Sequence, residues 1–367
     1  MNDDVIVIGA GVVGCAAAYF LAHEGVRVSV FDAGTVAYGA SGRNAGVVEH
    51  PYDSAQEALY EETVSLLSEV LGPAMPAAPV GVLLVTETEP LAKEIAAGHR
   101  RFAALDPTLL GPAEIASAEP LLADDLWACR LSTGYPIQPS LAAKAYADRA
   151  RELGVRFHLD TPVALDRDRD GVRGVRGVCG DREHDRAGAV LVAAGAASSE
   201  VIDPAGRWRP VRPLWGVSVA VDLPQHPQHV LLEGAVASIQ TGRAPADCTA
   251  FSLIAAPGSL ALGSTFLREK PAGEKWITAL LSRGTRFCPL LGGAGVGEVL
   301  TCARPRSFDG RPLLGQVARQ ARLWLATGHG GRGISTGVAS ARIVAEALLS
   351  GDDDAIEAPL RADRFPE

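Results

Sequence analysis

The sequence predicts an α/β protein in which a parallel sheet is interrupted by an inserted antiparallel one. Three observations carry this. The first 32 residues run strand, glycine turn, helix, strand. A buried strand entering a glycine turn returns at 189–196 and again at 323–334. Between these pieces lie short, often alternating segments bounded by turn residues, the pattern of an antiparallel sheet. The length, 367 residues, suits about two domains.

Val5-Ile6-Val7-Ile8 is a continuous β-branched run, as expected of a strand covered on both faces. Gly9-Ala10-Gly11-Val12-Val13-Gly14 follows at once. An alanine-rich segment from Cys15 to Glu24, closed by Gly25, then reads as a helix, and Val26 to Phe31 as an alternating strand ending at Asp32. Gly9 permits the tight turn, Gly11 lets backbone approach a pyrophosphate, and Gly14 lets helix and strand pack closely. The phosphates would rest on free amides at the helix N-terminus, where the dipole favours negative charge. Asp32 lies near the expected distance of about 20 residues for a ribose-binding acid, and its charge argues against the 2′-phosphate of NADP. This is a Rossmann-type dinucleotide site. The motif alone does not separate FAD from NAD.

The next stretch, Gly39-Ala40-Ser41-Gly42-Arg43-Asn44-Ala45-Gly46, is too small and polar for a helix or strand, and can offer backbone amides to a flat ring. A helix is expected from Ser54 to Leu71. Val80–Thr86, Gly216–Asp222, Val230–Glu233, Cys248–Ile254, Leu260–Phe266 and Gly297–Cys302 are the expected strands of the inserted sheet, with Arg304 ending the last of them. Ala189 to Ala196 is a buried strand running into a glycine turn at Ala194-Gly195. Leu323 to Thr327 then delivers Gly328-His329-Gly330-Gly331-Arg332-Gly333-Ile334 to a helix from about Ser335 to Leu349. The amides and dipole at that helix start would stabilise negative charge on a reduced flavin.

The chain carries 43 acidic against 34 basic side chains, a net charge of −9, which argues against a general nucleic-acid or anionic-membrane binder. The six cysteines, Cys15, Cys129, Cys179, Cys248, Cys288 and Cys302, include no Cys-x-x-Cys pair and no zinc-like spacing. The N-terminus is acidic where a secretory signal would be basic, and no stretch offers the ~20 apolar residues of a membrane span. These features predict a soluble cytoplasmic protein with reduced cysteines and no metal.

The combination resembles the FAD-dependent D-amino-acid oxidase superfamily, which includes glycine oxidase and sarcosine oxidase. The resemblance runs almost end to end, through Gly9–Asp32, Ser41–Gly46, Gly134–Pro139, Val155–Val163, Val192–Ala196, Pro210–Gly216, Arg304–Gly315 and Gly328–Ile334. It implies an FAD-binding domain from 1–79, 136–212 and 304–367, and a substrate domain from 80–135 and 213–303. FAD would meet Gly9, Gly11, Val12, Val13, Gly14, Asp32, Ala33, Ser41, Arg43, Asn44, Ala45, Gly46, the backbone of Val163, Ala194 and Gly195. The loop Gly328, His329, Gly330, Gly331, Arg332, Gly333 and Ile334 would meet the flavin O2 edge, although His329 is as readily a structural histidine.

Arg304, before Pro305, stands where these oxidases bind the substrate carboxylate, and a guanidinium fork suits that task. Arg332 is a second candidate, for substrate or for flavin. His50 and Tyr52 occupy a region that carries substrate-side residues in sarcosine-oxidase-like members; a surface turn is the alternative. Trp215 could wall the pocket or sit in the core. Cys302 falls where sarcosine oxidases attach flavin covalently, the alternative being a buried thiol with FAD held non-covalently. The lysine that activates oxygen in sarcosine oxidases is replaced near Ala261.

The implied reaction is oxidation of the C–N bond of an amino acid or N-substituted glycine. Hydride passes to flavin N5, and the imine hydrolyses to an oxo acid. The partners are then a small amino acid or amine and an electron acceptor, oxygen or another. A 2-hydroxy acid dehydrogenase passing electrons to a quinone, and a non-catalytic flavoprotein subunit, are the alternatives.

Overall fold

A computed structural model describes residues 3–178, 184–236, 247–318 and 320–365; Cys179 lies outside them. The first sheet is built on four parallel strands in the order Leu323–Thr327, His184–Val192, Asp3–Ile8 and Val28–Phe31. Arg156–His158 adds a parallel strand beyond Val28–Phe31, and Leu313–Gln316 an antiparallel one at the other edge. Val163–Asp168 and Gly171–Gly177 extend His184–Val192 as an antiparallel flap. All four residues of Val28–Phe31 are buried, where alternation had suggested one exposed face. The strand lies inside the sheet, so both faces are covered.

The first helix, Val12–His23, begins inside the glycine motif with Gly11 as its N-cap, three residues before the expected Cys15. The alanine-rich composition lets it pack tightly: a Cβ on Gly337 of the last helix, Gly333–Ser350, would lie 2.9 Å from Val13. Those two helices and Leu141–Glu152 cover the same face of the sheet, around Leu21, Tyr146 and Val338.

The second sheet has the order Gly295–Ser307, Val211–Asp222, Ser259–Phe266, Cys248–Ala256, Val230–Glu233, Val82–Thr86, Trp127–Leu131, Thr108–Leu110. Its neighbours are antiparallel except Val230–Glu233 with Val82–Thr86, which run parallel. Those two strands come from separate excursions of the chain, so no hairpin fixes their direction. Arg304 does not end its strand. The strand continues through Pro305 to Ser307, and it can do so because it is the sheet edge, where a missing proline N–H breaks no ladder bond.

The helix Glu57–Leu71 follows a short 3₁₀ turn at Ser54–Gln56, capped by the Asp53 carboxylate, which accepts from Ala55 N at 3.2 Å. The five described cysteines are free thiols. Among the described residues, no helix is long and apolar enough to cross a membrane.

Candidate active site

Parallel order brings the carboxyl ends of Ile8, Phe31, Val192 and Thr327 to one sheet edge, the place where open α/β sheets bind ligands. Gly9, Asp32, Ala194-Gly195 and Gly328 are the residues leaving that edge. The packing there is close: a Cβ on Gly9, whose φ is +115°, would lie 2.4 Å from the Ala193 carbonyl oxygen. The Asp32 carboxylate accepts from Ala10 N at 2.6 Å and Gly34 N at 2.8 Å, so it holds two loops together and keeps lone pairs for a ligand. Ala33 beside it is exposed, and Val163 begins its strand half-buried.

The small polar loop is shaped by its own side chains. Asn44 donates to the carbonyls of Ala40 (3.1 Å) and Ser41 (2.8 Å), and its Oδ1 accepts from Gly46 N at 2.8 Å. The Ser41 hydroxyl accepts from Val12 N at 3.0 Å, which ties the loop to the first helix. A Cβ on Gly11 would meet the same oxygen at 3.0 Å. Arg43 lies over the Tyr38 ring at 4.5 Å, and Ala45 packs against the cluster containing Tyr52. A helix start whose cap has no side chain, faced by a loop built to expose backbone, fits a dinucleotide pyrophosphate.

The third glycine loop meets the second sheet. Gly330 N donates to the Pro305 carbonyl at 2.7 Å, next to Arg304, and Arg332 is the N-cap of the last helix. Gly331 is exposed, Gly333 half-buried and Ile334 buried. His329 is buried, with Nε2 unpartnered among the described residues. Burial pushes its pKa down to about 4, so it is neutral and adds no charge to the loop.

Beside this loop is a cavity of about 240 Å³ whose lining includes Tyr52, Arg304, His329, Gly330, Gly331 and Arg332. Arg304 is positioned by the inserted sheet. Its Nη1 donates to the Thr265 carbonyl at 2.9 Å, its Nη2 to the Ser264 hydroxyl at 2.5 Å, and the guanidinium lies over the Phe266 ring at 4.8 Å. Gly216, on the adjacent strand, makes the room: a Cβ there would fall 2.5 Å from both guanidinium nitrogens. Burial lowers the Arg304 pKa, yet a guanidinium stays charged, and among the described residues no carboxylate pairs with it.

Arg332 differs. It forms a buried ion pair with Glu49 and lies over the Tyr52 ring at 5.0 Å. Its charge is thereby neutralised within the protein.

His50 and Tyr52 do not form a surface turn; both are buried. His50 Nδ1 accepts from Tyr52 N at 3.0 Å, and the ring packs against Phe102 with 4.7 Å between centroids. Burial, with the nearby Arg332 charge, pushes the His50 pKa down to about 4. Of this pair only Tyr52 lines the cavity. Trp215 is half-buried and outside the lining, with Lys270 over its ring at 5.7 Å; its neighbour Leu214 lines the cavity instead. Cys302 sits opposite Gly216 in the strand ladder, and burial raises its thiol pKa against the pull of Arg304 and Arg43.

Several lining residues were not singled out in the sequence. Asp53 and Arg311, both in the lining, form a two-pronged ion pair at 2.7 and 3.1 Å. Arg306 could have been found by strand alternation, two residues beyond Arg304. Arg101 and Ser264 are brought in by folding alone.

Comparison with known proteins agrees with this architecture. The chain is 28% identical to a glycine oxidase from Pseudomonas aeruginosa, covering 97% of each chain. Its fold matches the crystal structure of a glycine oxidase from Bacillus cereus with a TM-score of 0.84 over the whole of both chains, at 20% identity. It also matches an iminodiacetate oxidase from Chelativorans, with a TM-score of 0.80 at 23% identity, covering 97% of this chain and 98% of that one. Residues 4–347 match the DAO family, described as FAD dependent oxidoreductase, and a chain with this dinucleotide edge and this match belongs to that family.

Proposed function

We propose that this FAD-dependent oxidoreductase oxidises the C–N bond of an amino acid or N-substituted glycine. The observation that carries the reading is Arg304: a fixed guanidinium without a carboxylate partner among the described residues, facing a cavity walled by the glycine loop. A cation held this way, with part of its water removed, binds a substrate carboxylate through two parallel hydrogen bonds. The glycine oxidases and the iminodiacetate oxidase that resemble the chain act on substrates of this type by name.

Gly9–Gly14, Asp32 and Ser41–Gly46 would hold FAD non-covalently, and the flavin would supply the redox chemistry, a two-electron acceptor for the substrate that oxygen or another acceptor reoxidises. Arg304 anchors the carboxylate and so fixes where the substrate Cα–H points, which converts binding into orientation. Leu214 and the Phe266 ring withhold water from one side of the guanidinium, strengthening the ion pair. The substrate loses a hydride, and the imine takes up water to give an oxo acid and ammonia from a primary amino acid, or glyoxylate and a primary amine from an N-substituted glycine. No strong base is needed if the amine enters neutral, and the neutral His329 and His50 are in keeping with that. The high thiol pKa of Cys302 supports a non-covalent flavin, because the thiolate is the reactive form.

The test is anaerobic bleaching of the bound flavin by primary, secondary, D- and L-amino acids. Arg304→Ala should keep FAD and raise the half-saturating substrate concentration by about 100-fold, the equivalent of ~3 kcal/mol for a lost buried charge pair. If no amine bleaches the flavin and the variant matches wild type, the reading is wrong.

A further inference from the structure

The cavity is lined by five arginines, Arg101, Arg304, Arg306, Arg311 and Arg332, against two aspartates, Asp53 and Asp309. This stands out in a chain of net charge −9. Two of the five are neutralised internally, Arg311 by Asp53 and Arg332 by Glu49. Asp309 is itself taken by Arg364 from outside the cavity. Arg101, Arg304 and Arg306 remain without a carboxylate partner among the described residues. One substrate carboxylate accounts for Arg304 and leaves the others unexplained.

Arg306 is placed to act with Arg304. Both lie on the edge strand Gly295–Ser307 two residues apart, so their side chains leave the same face with Cα atoms ~7 Å apart. The residue directly across the ladder from Arg306 is Arg212, another arginine, whose guanidinium rests on the Phe308 ring at 5.0 Å. Like charges directly opposite on a sheet destabilise it, and a bound anion removes that cost. The cofactor phosphates do not supply this anion, because neither Gly9–Gly14 nor Ser41–Gly46 lines the cavity. His329, joined to Arg306 by an isolated bridge, is neutral and brings no compensating charge.

We propose that the substrate is a dicarboxylic amine, with one carboxylate on Arg304 and the second on Arg306, and with Arg101, also in the cavity lining, adding to the attraction. The proposal rests on the reading that Arg304 holds the reacting carboxylate, and it narrows the substrate class from any amino acid to one with two acidic groups flanking or following the amine. A guanidinium fork suits a carboxylate, and the spacing of the two forks along the strand selects for two of them on a short backbone.

The experiment separates binding from turnover with unreactive analogues that have no C–N bond. Thiodiacetate carries two carboxylates, and (ethylthio)acetate, of similar size, carries one. Perturbation of the flavin absorption in the holoenzyme gives each dissociation constant, and ligand-dependent thermal shift gives an independent readout. Thiodiacetate should bind at least ~10-fold more tightly, by about 1.4 kcal/mol. Arg306→Gln should bring the ratio to within about twofold of unity, and Arg306→Lys, which keeps the charge and loses the fork, should give an intermediate ratio. Equal binding of the two analogues by wild type, or a ratio unmoved by both variants, overturns the proposal.

A parallel anaerobic titration with iminodiacetate and N-ethylglycine tests the underlying chemistry. Bleaching by both with no preference removes the second anion site and leaves amine oxidation standing. An Arg306-dependent preference for thiodiacetate without bleaching by any amine supports the anion site and removes amine oxidation.

Discussion

Arg304 shows how one residue's role depends on what a neighbour lacks. Its guanidinium lies against Gly216 so closely that any side chain there must displace it. Gly216→Ala should therefore disturb the proposed substrate anchor while leaving the carboxyl edge of the first sheet untouched. The expected outcome is a KM increase of about 10-fold or more with FAD content unchanged, checked by steady-state kinetics beside the flavin-to-protein absorbance ratio. An unchanged KM would show that the guanidinium can shift without consequence. The sequence pointed to Arg304 through its setting before Pro305. It gave no hint that Arg332, in the equally suggestive glycine loop, would be neutralised by Glu49. That pairing joins residues far apart in the chain, and no local pattern encodes it. Arg101 was illegible for the same reason.

The elements that bear the cofactor edge are loops whose shape comes from side chain to backbone bonds. Asn44 makes three of these within Ala40–Gly46. Such local bonds are how asparagine stabilises turns against regular structure. Asn44→Ala should loosen the loop and raise the FAD dissociation constant by about 10-fold, or ~1.4 kcal/mol, because part of the ~3 kcal/mol net from three bonds is lost from the FAD-free protein as well. Fluorescence recovery of released flavin on ultrafiltration measures it. A variant that retains FAD as tightly as wild type would show that the loop is set by its flanks. Strand and helix identities were legible because β-branched runs and alanine-rich stretches each favour one geometry. Boundaries were less so: the edge strand runs past Pro305 because, among the described residues, no further strand of its sheet lies beyond it and the glycine loop touches that side, a fact about sheet order rather than residue preference.

At the scale of the whole molecule, His50 and His329 are buried neutral groups, with pKa values pushed down to about 4 from an ordinary 6.5. Between those values the unfolded chain binds protons that the folded chain refuses. Their contribution is therefore unpenalised above the ordinary value, and stability falls as pH drops through 6 toward 4. The urea midpoint should decline between about pH 7 and about pH 5, and replacing both histidines by glutamine should flatten that slope. A flat wild-type profile over the same window would refute it. The first sheet draws on both ends and the middle of the chain, so the dinucleotide edge exists only when these distant segments are assembled. By itself the sequence determined the α/β class, the glycine turn between the first strand and helix and the resemblance to flavin oxidases, because these follow from short-range periodicity and from the conformations that glycine allows. Only the tertiary structure decided which arginines lack a carboxylate partner among the described residues, that His50 and Tyr52 are buried and that a strand edge carries two cations on one face. Charge pairing, burial and sheet order are set by residues distant in sequence, and they emerge only when the chain closes on itself.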